Sequence, residues 1–249
     1  MDHSGHVAVV TGAAGGIGRD YAIALAEDGA AVVAADLNLE AAEETAALVT
    51  GKGGRCVAMA VDVSDPESTT ALAARVRAEV GPANLLVNNA AIYGGMQLDP
   101  VLKVDIGYWR KMFSVNLDGA LLMVQAFAPQ LIESGWARVV NQTSVAAYSP
   151  AGAYSATKLA LISLTQSQAM ELGAHGIPVN AIAPGPILTE ATMQTLSPER
   201  VDRMLSTAFI KTRSGPEALI GTLRYACGDE VAWVTGQTFV VDGGITRRV

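Results

Sequence analysis

Short, almost wholly apolar runs alternate with longer amphipathic stretches along this chain of 249 residues. HVAVVT (6–11), AAVVAAD (30–36), RCVAMAVD (55–62), NLLVNNA (84–90), RVVNQTS (138–144), IPVNAIAP (177–184) and QTFVVDG (237–243) read as strands. They do not alternate polar with apolar residues, which suits strands covered on both faces, as in parallel sheets. Helical patterns lie between them. One runs through GIGRDYAIALAEDG to Gly29, a second through LEAAEETAALVTG to Gly51, and a third through PESTTALAARVRAEVG with Pro66 near its start. A long one runs from about Gly107 to Glu133, and another from about Ala153 to His175. The pattern predicts an α/β fold, a doubly wound parallel sheet of about seven strands with helices on both faces. No low-complexity linker divides residues 1–249, so one domain is expected, with a helical lobe or substrate lid at about 189–216, where the rhythm breaks.

Half of the residues are hydrophobic, enough for a substantial core, and the formal net charge of -7 is interrupted by no basic run. Nucleic acid is therefore not an expected partner. Cys56 and Cys227 fit neither a metal nor a redox spacing and read as free thiols. His3, His6 and His175 are the histidines, and no metal site is expected. The opening MDHSGH leads directly into a strand, so no signal peptide is expected. No apolar run is read as reaching the roughly 18 residues of a membrane span. The expected setting is cytoplasmic.

TGAAGGIG (11–18) follows the first strand and opens the first helix. Clustered glycine is entropically costly and needs a reason. In a doubly wound, Rossmann-type sheet this is where a dinucleotide binds, its pyrophosphate on the helix N-terminus. Gly12 would permit the turn, Gly16 the approach of the phosphates, and Gly18 close packing of helix on strand. Asp36 closes the second strand, where an acid can hold the adenosine ribose hydroxyls; a helix N-cap is its other reading. Asp62 closes the third strand and reads either as an adenine contact or as a turn acid.

Tyr154 and Lys158, in YSATK, are four apart and share a helix face. An ammonium there favours the phenolate and makes Tyr154 a usable acid/base. An ordinary helix-surface pair is the alternative. Ser144 ends the fifth strand, at the edge where ligands bind, and could hold a carbonyl oxygen or cap a turn. Asn116 interrupts an apolar helix. It is either satisfied locally or holds a water or backbone carbonyl near the site.

These residues carry a resemblance. TGAAGGIG, Asp62-Val63, NNAA (88–91), Asn116, Ser144, YSATK (154–158), PGPILT (184–189) and the ending TGQTFVVDGG occur in the order of the short-chain dehydrogenase/reductase family, which the chain resembles over nearly its whole length. The resemblance implies a catalytic tetrad. Tyr154 would be the general acid/base, and Lys158 would tune it and hold the nicotinamide ribose. Ser144 would position the substrate oxygen, and Asn116 would support a water-linked proton path. It further implies cofactor contacts from Gly12, Gly16, Ile17, Gly18, Asp36, Leu37, Asp62, Val63, Asn88, Ala90, Tyr154, Lys158, Pro184, Gly185, Ile187 and Thr189. Two departures stand out. NNAA replaces the usual NNAG at Ala91, and the Ser144–Tyr154 spacing is about three residues shorter than usual. Thr143 and Asn141 are alternatives to Ser144; the motif favours Ser144.

The expected protein is an NAD(H)-dependent alcohol dehydrogenase/ketone reductase with NAD as cofactor, acting on a small-molecule secondary alcohol or ketone. Asp36 should disfavour the 2′-phosphate of NADP, no basic residue being local to the glycine loop. Tyr93, Met96, Gln97, Tyr148, Pro186 and Met193 are the expected pocket residues. Two alternatives remain open. One is a 3-oxoacyl-thioester (acyl-carrier-protein) reductase, which would need a basic docking patch such as Arg110/Lys111 or Arg247/Arg248. The other is a non-catalytic dinucleotide sensor. The resemblance implies a homotetramer and no membrane partner.

Overall fold

Seven parallel strands form one sheet in the computed structural model, which describes residues 1–247. The strands are β1 (Val7–Thr11), β2 (Ala31–Asp36), β3 (Arg55–Ala60), β4 (Leu85–Asn88), β5 (Arg138–Gln142), β6 (Val179–Pro184) and β7 (Thr238–Val241). Their order is β3-β2-β1-β4-β5-β6-β7, every pairing parallel. The chain runs outward from β1 in one direction and from β4 in the other. The loops leaving these two strands therefore part and open a crevice at their C-terminal ends.

The apolar strand sequences follow from burial on both faces. In β1, Val7 and Val9 enter one core, with Met123, Phe127 and Leu172; Ala8 and Val10 enter the other, with Tyr21, Leu25 and Leu223. The first core lies under α3 (Pro66–Glu79), α5 (Gly119–Glu133) and α6 (Gly152–Gly173). The second lies under α1 (Gly16–Glu27), α2 (Leu39–Gly51) and α9 (Glu217–Cys227).

The edge strands depart from the two-face rule. In β3, Arg55, Val57 and Ala60 are exposed and Met59 alone is buried, and β7 is half-buried throughout. Apolar content marked β3 as a strand but not as an edge. Cys56 sits on it half-buried, while Cys227 is fully buried at the end of α9; both thiols are free.

Three helical features depart from the sequence pattern. The predicted helix over 107–133 is α4 (Ile106–Phe113), a π-helical turn (Ser114–Asp118) and α5 in succession. Within 106–133 an 18-residue window reaches a mean hydropathy of 1.2, so by length and composition only the stretch is apolar enough to cross a membrane, although no uninterrupted apolar run of that length was expected. Its Met123, Phe127 and Leu131 are buried in the core. A short 3-10 turn (Val145–Tyr148) follows β5. Helix α9 was not foreseen, although Leu219, Leu223, Ala226 and Cys227 repeat at helical spacing and are buried. The irregular stretch before it masked the period. That stretch holds α7 (Glu190–Thr195) and α8 (Pro198–Ser206). Of the basic pair 247/248, Arg248 lies outside the described residues.

Candidate active site

The loop after β1 is shaped by backbone contacts that exclude side chains. Gly12 has φ +66°, and a Cβ there would meet the Ala90 Cα at 2.8 Å and the Asn89 Nδ2 at 2.9 Å. A Cβ on Gly18 would collide with the Gly12 carbonyl oxygen. Gly12 thus lets two loops touch, and Gly18 seats α1 on the turn. Gly16 has φ +52° and starts α1, whose cap position carries no side-chain hydrogen bond. The N–H groups of its first turn are therefore available to an anion.

Asn89 closes the crevice from the β4 side. Its Nδ2 donates to the carbonyls of Thr11 (2.9 Å) and Gly12 (3.1 Å). The Thr11 hydroxyl accepts from the N–H groups of Asn89 (3.0 Å) and Ala90 (3.1 Å). Sequence reasoning passed over both residues, because nothing in spacing reveals a clasp between loops 77 to 79 positions apart.

A cleft of about 410 Å³ lies over this crevice, lined by Gly12, Gly16, Ile17, Gly18, Asp36, Ala90, Ser144, Tyr154, Lys158, Pro184, Gly185, Ile187 and Thr189. It joins a second hollow of about 640 Å³ that shares Gly12, Asp36 and Ala90 and adds Leu37, Asp62 and Val63. Asn88 belongs to neither. It is buried at the end of β4 and donates to the Asn141 Oδ1 at 2.9 Å, so it shapes the crevice from below. Of the expected pocket residues, Tyr93 lines the cleft and Gln97 the second hollow; Met96, Tyr148, Pro186 and Met193 line neither.

Asp36 accepts one hydrogen bond per carboxylate oxygen, from Ala14 N (3.0 Å) and Asn38 N (3.0 Å). It is not the cap of α2; Asn38 is, accepting from Ala41 N. Asp62 accepts from the N–H and hydroxyl of Ser64 at 2.9 and 2.6 Å, as a turn acid does. Arg19 overturns one expectation. It lies in the first turn of α1, yet its Nη2 reaches back to the Ala14 carbonyl at 2.5 Å, so a cation is local to the loop. The guanidinium is engaged on the α2 side, with Thr45 (2.9 Å) and Glu44 (3.1 Å).

Three residues of the expected tetrad meet at the far end of the cleft. The Ser144 side chain lies near enough to the Tyr154 phenol to favour its ionised form, so the shortened connection still brings the two together. Ser144 also caps the 3-10 turn, accepting from Ala146 N at 3.1 Å. Lys158 is 2 % exposed, and its Nζ donates to the main-chain carbonyl of Gln142 at 2.8 Å. A carbonyl partner leaves no trace in side-chain spacing. Nζ lies 5.7 Å from the Tyr154 ring centroid. Asn141 is fully buried within β5 and donates to Thr165 and Gln168, while the Thr143 hydroxyl donates to the Lys158 carbonyl at 2.7 Å. Both support the sheet–helix junction.

Asn116 occupies the π-helical turn. Its Oδ1 accepts from Ile92 N at 2.7 Å, and its Nδ2 faces Ile92 O, Met112 Sδ and Thr157 Oγ1. The Thr157 hydroxyl donates to the Tyr154 carbonyl at 2.8 Å. Asn116 thus fastens the β4 loop and the helix bearing Tyr154 to one another.

The electrostatics differ from the sequence expectation. Burial pushes the Tyr154 phenol above its ordinary value, nearby Tyr93 adds to this, and the neighbouring Ser144 side chain opposes it. Burial also pulls the Lys158 ammonium down to about 7. The net direction at Tyr154 is upward, not down, because burial penalises the charged forms of both Tyr154 and Lys158. What the arrangement offers is a buried phenol beside a half-buried hydroxyl, a pair that can bind an oxygen and exchange a proton with it.

The glycine cradle, the uncapped helix and Asp36 fit a nicotinamide dinucleotide laid across the crevice. A family model described as Enoyl-(Acyl carrier protein) reductase matches residues 12–246. An uncharacterized oxidoreductase of Mycobacterium tuberculosis is 44% identical over 238 residues, with 96% of each chain covered. The sorbitol dehydrogenase of Cereibacter sphaeroides is 37% identical over 258 residues, covering 98% of each. A solved 7α-hydroxysteroid dehydrogenase, complexed with NADH and 7-oxoglycochenodeoxycholic acid, superposes with a TM-score of 0.92 at 31% identity, over 98% of this chain and 95% of the other. The fold, the ordered motifs and these relatives together place the chain in the short-chain dehydrogenase/reductase family of oxidoreductases.

Proposed function

We propose that this protein is an NAD(H)-dependent dehydrogenase that interconverts a secondary alcohol and a ketone. The observation that carries the reading is the Ser144–Tyr154–Lys158 cluster at one end of a cleft whose other end is the glycine loop and Asp36. The bound dinucleotide supplies the hydride acceptor or donor. Gly12, Gly16, Ile17 and Gly18 would receive its diphosphate, Asp36 its adenosine ribose, and Lys158 its second ribose, with Pro184, Gly185, Ile187 and Thr189 along the nicotinamide. Ser144 holds the substrate oxygen and Tyr154 takes its proton in oxidation or returns it in reduction. Asn116 supports the proton path toward Lys158 by holding the β4 loop against the helix. Helices α7 and α8 would close over the substrate as a lid. We place the protein in the cytoplasm as a homotetramer.

The cofactor preference rests on charge. A 2′-phosphate beside Asp36 at ~4 Å and an effective dielectric of ~20 costs about 4 kcal/mol per charge pair before screening. A screened fraction of this still gives about tenfold or more in favour of NAD. Arg19 does not reverse this, because its guanidinium is held by Glu44, Thr45 and backbone carbonyls.

The test is absorbance of the reduced nicotinamide with NAD and with NADP against a panel of secondary alcohols, ketones and a 3-oxoacyl thioester. Turnover of an alcohol with NAD is expected. The Asp36→Ser, Gly15→Arg double variant should raise kcat/KM for NADP and lower it for NAD. Equal use of both cofactors by the unaltered protein would remove Asp36 as selector. Turnover of the thioester alone would favour the acyl-carrier reading, to which the description of the matching family model lends support. Cofactor binding without any turnover would favour the sensor.

A further inference from the structure

Arg19 breaks a local rule. A cation in the first turn of a helix opposes the macrodipole, and here no acid shares that turn to offset it. Its hydrogen bonds show what it does instead. Arg19 Nη2 donates to the Ala14 carbonyl at 2.5 Å, and Nε donates to the Thr45 hydroxyl at 2.9 Å. That hydroxyl, fully buried, donates in turn to the Ala13 carbonyl at 2.7 Å. Two consecutive carbonyls of the glycine loop are therefore drawn to the α2 side by one guanidinium and one hydroxyl.

The consequence follows from the planar trans peptide, in which C=O and N–H point in opposite directions. With the Ala13 carbonyl on Thr45, the Ala14 N–H must point the other way, and it meets Asp36 at 3.0 Å. With the Ala14 carbonyl on Arg19, the Gly15 N–H must likewise point away from α2. Gly15 and Gly16 line the cleft, and Gly15 is the cap position of α1. We infer that Arg19, through Thr45 and the Ala13 and Ala14 carbonyls, is a positioning residue that aims the Gly15 N–H at the diphosphate of the cofactor. The inference rests on the cofactor reading above and adds to it a residue that touches no cofactor atom. Glu44 is a minor participant, since its ion pair with Arg19 is exposed and such pairs contribute little.

The planar fork of arginine is what lets one side chain hold a carbonyl and a hydroxyl together; lysine keeps the charge and loses the fork. The experiment measures inhibition constants for ADP and for adenosine in competition with NADH fluorescence, for the unaltered protein and for Arg19→Met, Arg19→Lys and Thr45→Val. Amide exchange at Gly15 is followed in parallel without ligand. In Arg19→Met the ADP constant should rise about tenfold while the adenosine constant stays, and Gly15 exchange should accelerate. Arg19→Lys should resemble Arg19→Met. Thr45→Val, which removes one link and serves if Arg19→Met does not fold, should raise the ADP constant about threefold. Full ADP affinity in Arg19→Lys means that charge alone acts and overturns the inference. So does an equal shift in both constants, which marks a general loss of structure, or no shift in either. An unaltered protein that binds neither NADH nor ADP sinks the proposed function and this inference with it; normal binding with unshifted variants sinks the inference alone.

Discussion

At Tyr154 two demands oppose each other: the phenol must be shielded to react with a sheltered substrate, yet shielding makes its proton harder to remove. Burial pushes the phenol up, and the neighbouring Ser144 side chain is the counterweight. Tyr154→Phe removes the proton carrier and leaves the packing, so turnover should fall by about 10²–10⁴, the usual worth of general acid–base catalysis. The NADH dissociation constant, from fluorescence titration, should stay within about twofold; near-normal kcat would exclude Tyr154 from the proton transfer. The same balance sets a pH profile. Oxidation needs the phenol without its proton, and Lys158, pulled down to about 7, sheds its charge early in the alkaline range. The oxidation rate should therefore keep rising to about pH 10, whereas a tyrosine brought near neutrality would give a plateau. A plateau reached below about pH 8 under chemistry-limited conditions would contradict this. Ser144, Tyr154, Lys158 and Asp36 were legible in the sequence because their chemistry resides in side chains at fixed motif positions. Arg19 and Asn89 were not, since both act on backbone carbonyls that no side-chain pattern reports.

Among the elements, the junction of β1 and α1 is the least forgiving. A Cβ at Gly18 collides with the Gly12 carbonyl and lies 2.6 Å from Asn89 Nδ2, both of which are backbone-anchored. Gly18→Ala should thus overpack the turn, costing about 1–3 kcal/mol, which calorimetry would record as a Tm lower by several degrees. Cofactor affinity should fall with it. An unchanged Tm would show that α1 can lift from the turn. The inner strands were legible because both faces are buried, so their sequences are apolar without interruption. The edge position of β3 was not, because an edge is defined by the absence of a neighbour, which a strand's own residues need not announce. The π-helical turn at Ser114–Asp118 was equally hidden, since Asn116 differs from a helical residue only in the contacts it makes across to Ile92 and Thr157.

For the molecule as a whole, the outer surfaces of α5 and α6 expose Leu121, Ile132, Leu159 and Met170, and the loop before β7 exposes Trp233 at 98%. Apolar side chains on two adjoining long helices suit a covered surface. The protein should run as a homotetramer in light scattering at micromolar concentration; a monomer there would defeat the assembly reading. The two free thiols carry a different consequence. Burial pushes Cys56 up to about 11 and Cys227 up to about 12, so neither is a reactive thiolate while the fold is closed. They sit in different parts of the architecture, Cys56 on the marginal strand β3 and Cys227 fully buried in α9, which packs against β5, β6 and β7. Alkylation of the first therefore clocks fraying of the sheet's rim, and alkylation of the second clocks the opening of its heart, so that a single chain carries two independent timers of its own unfolding.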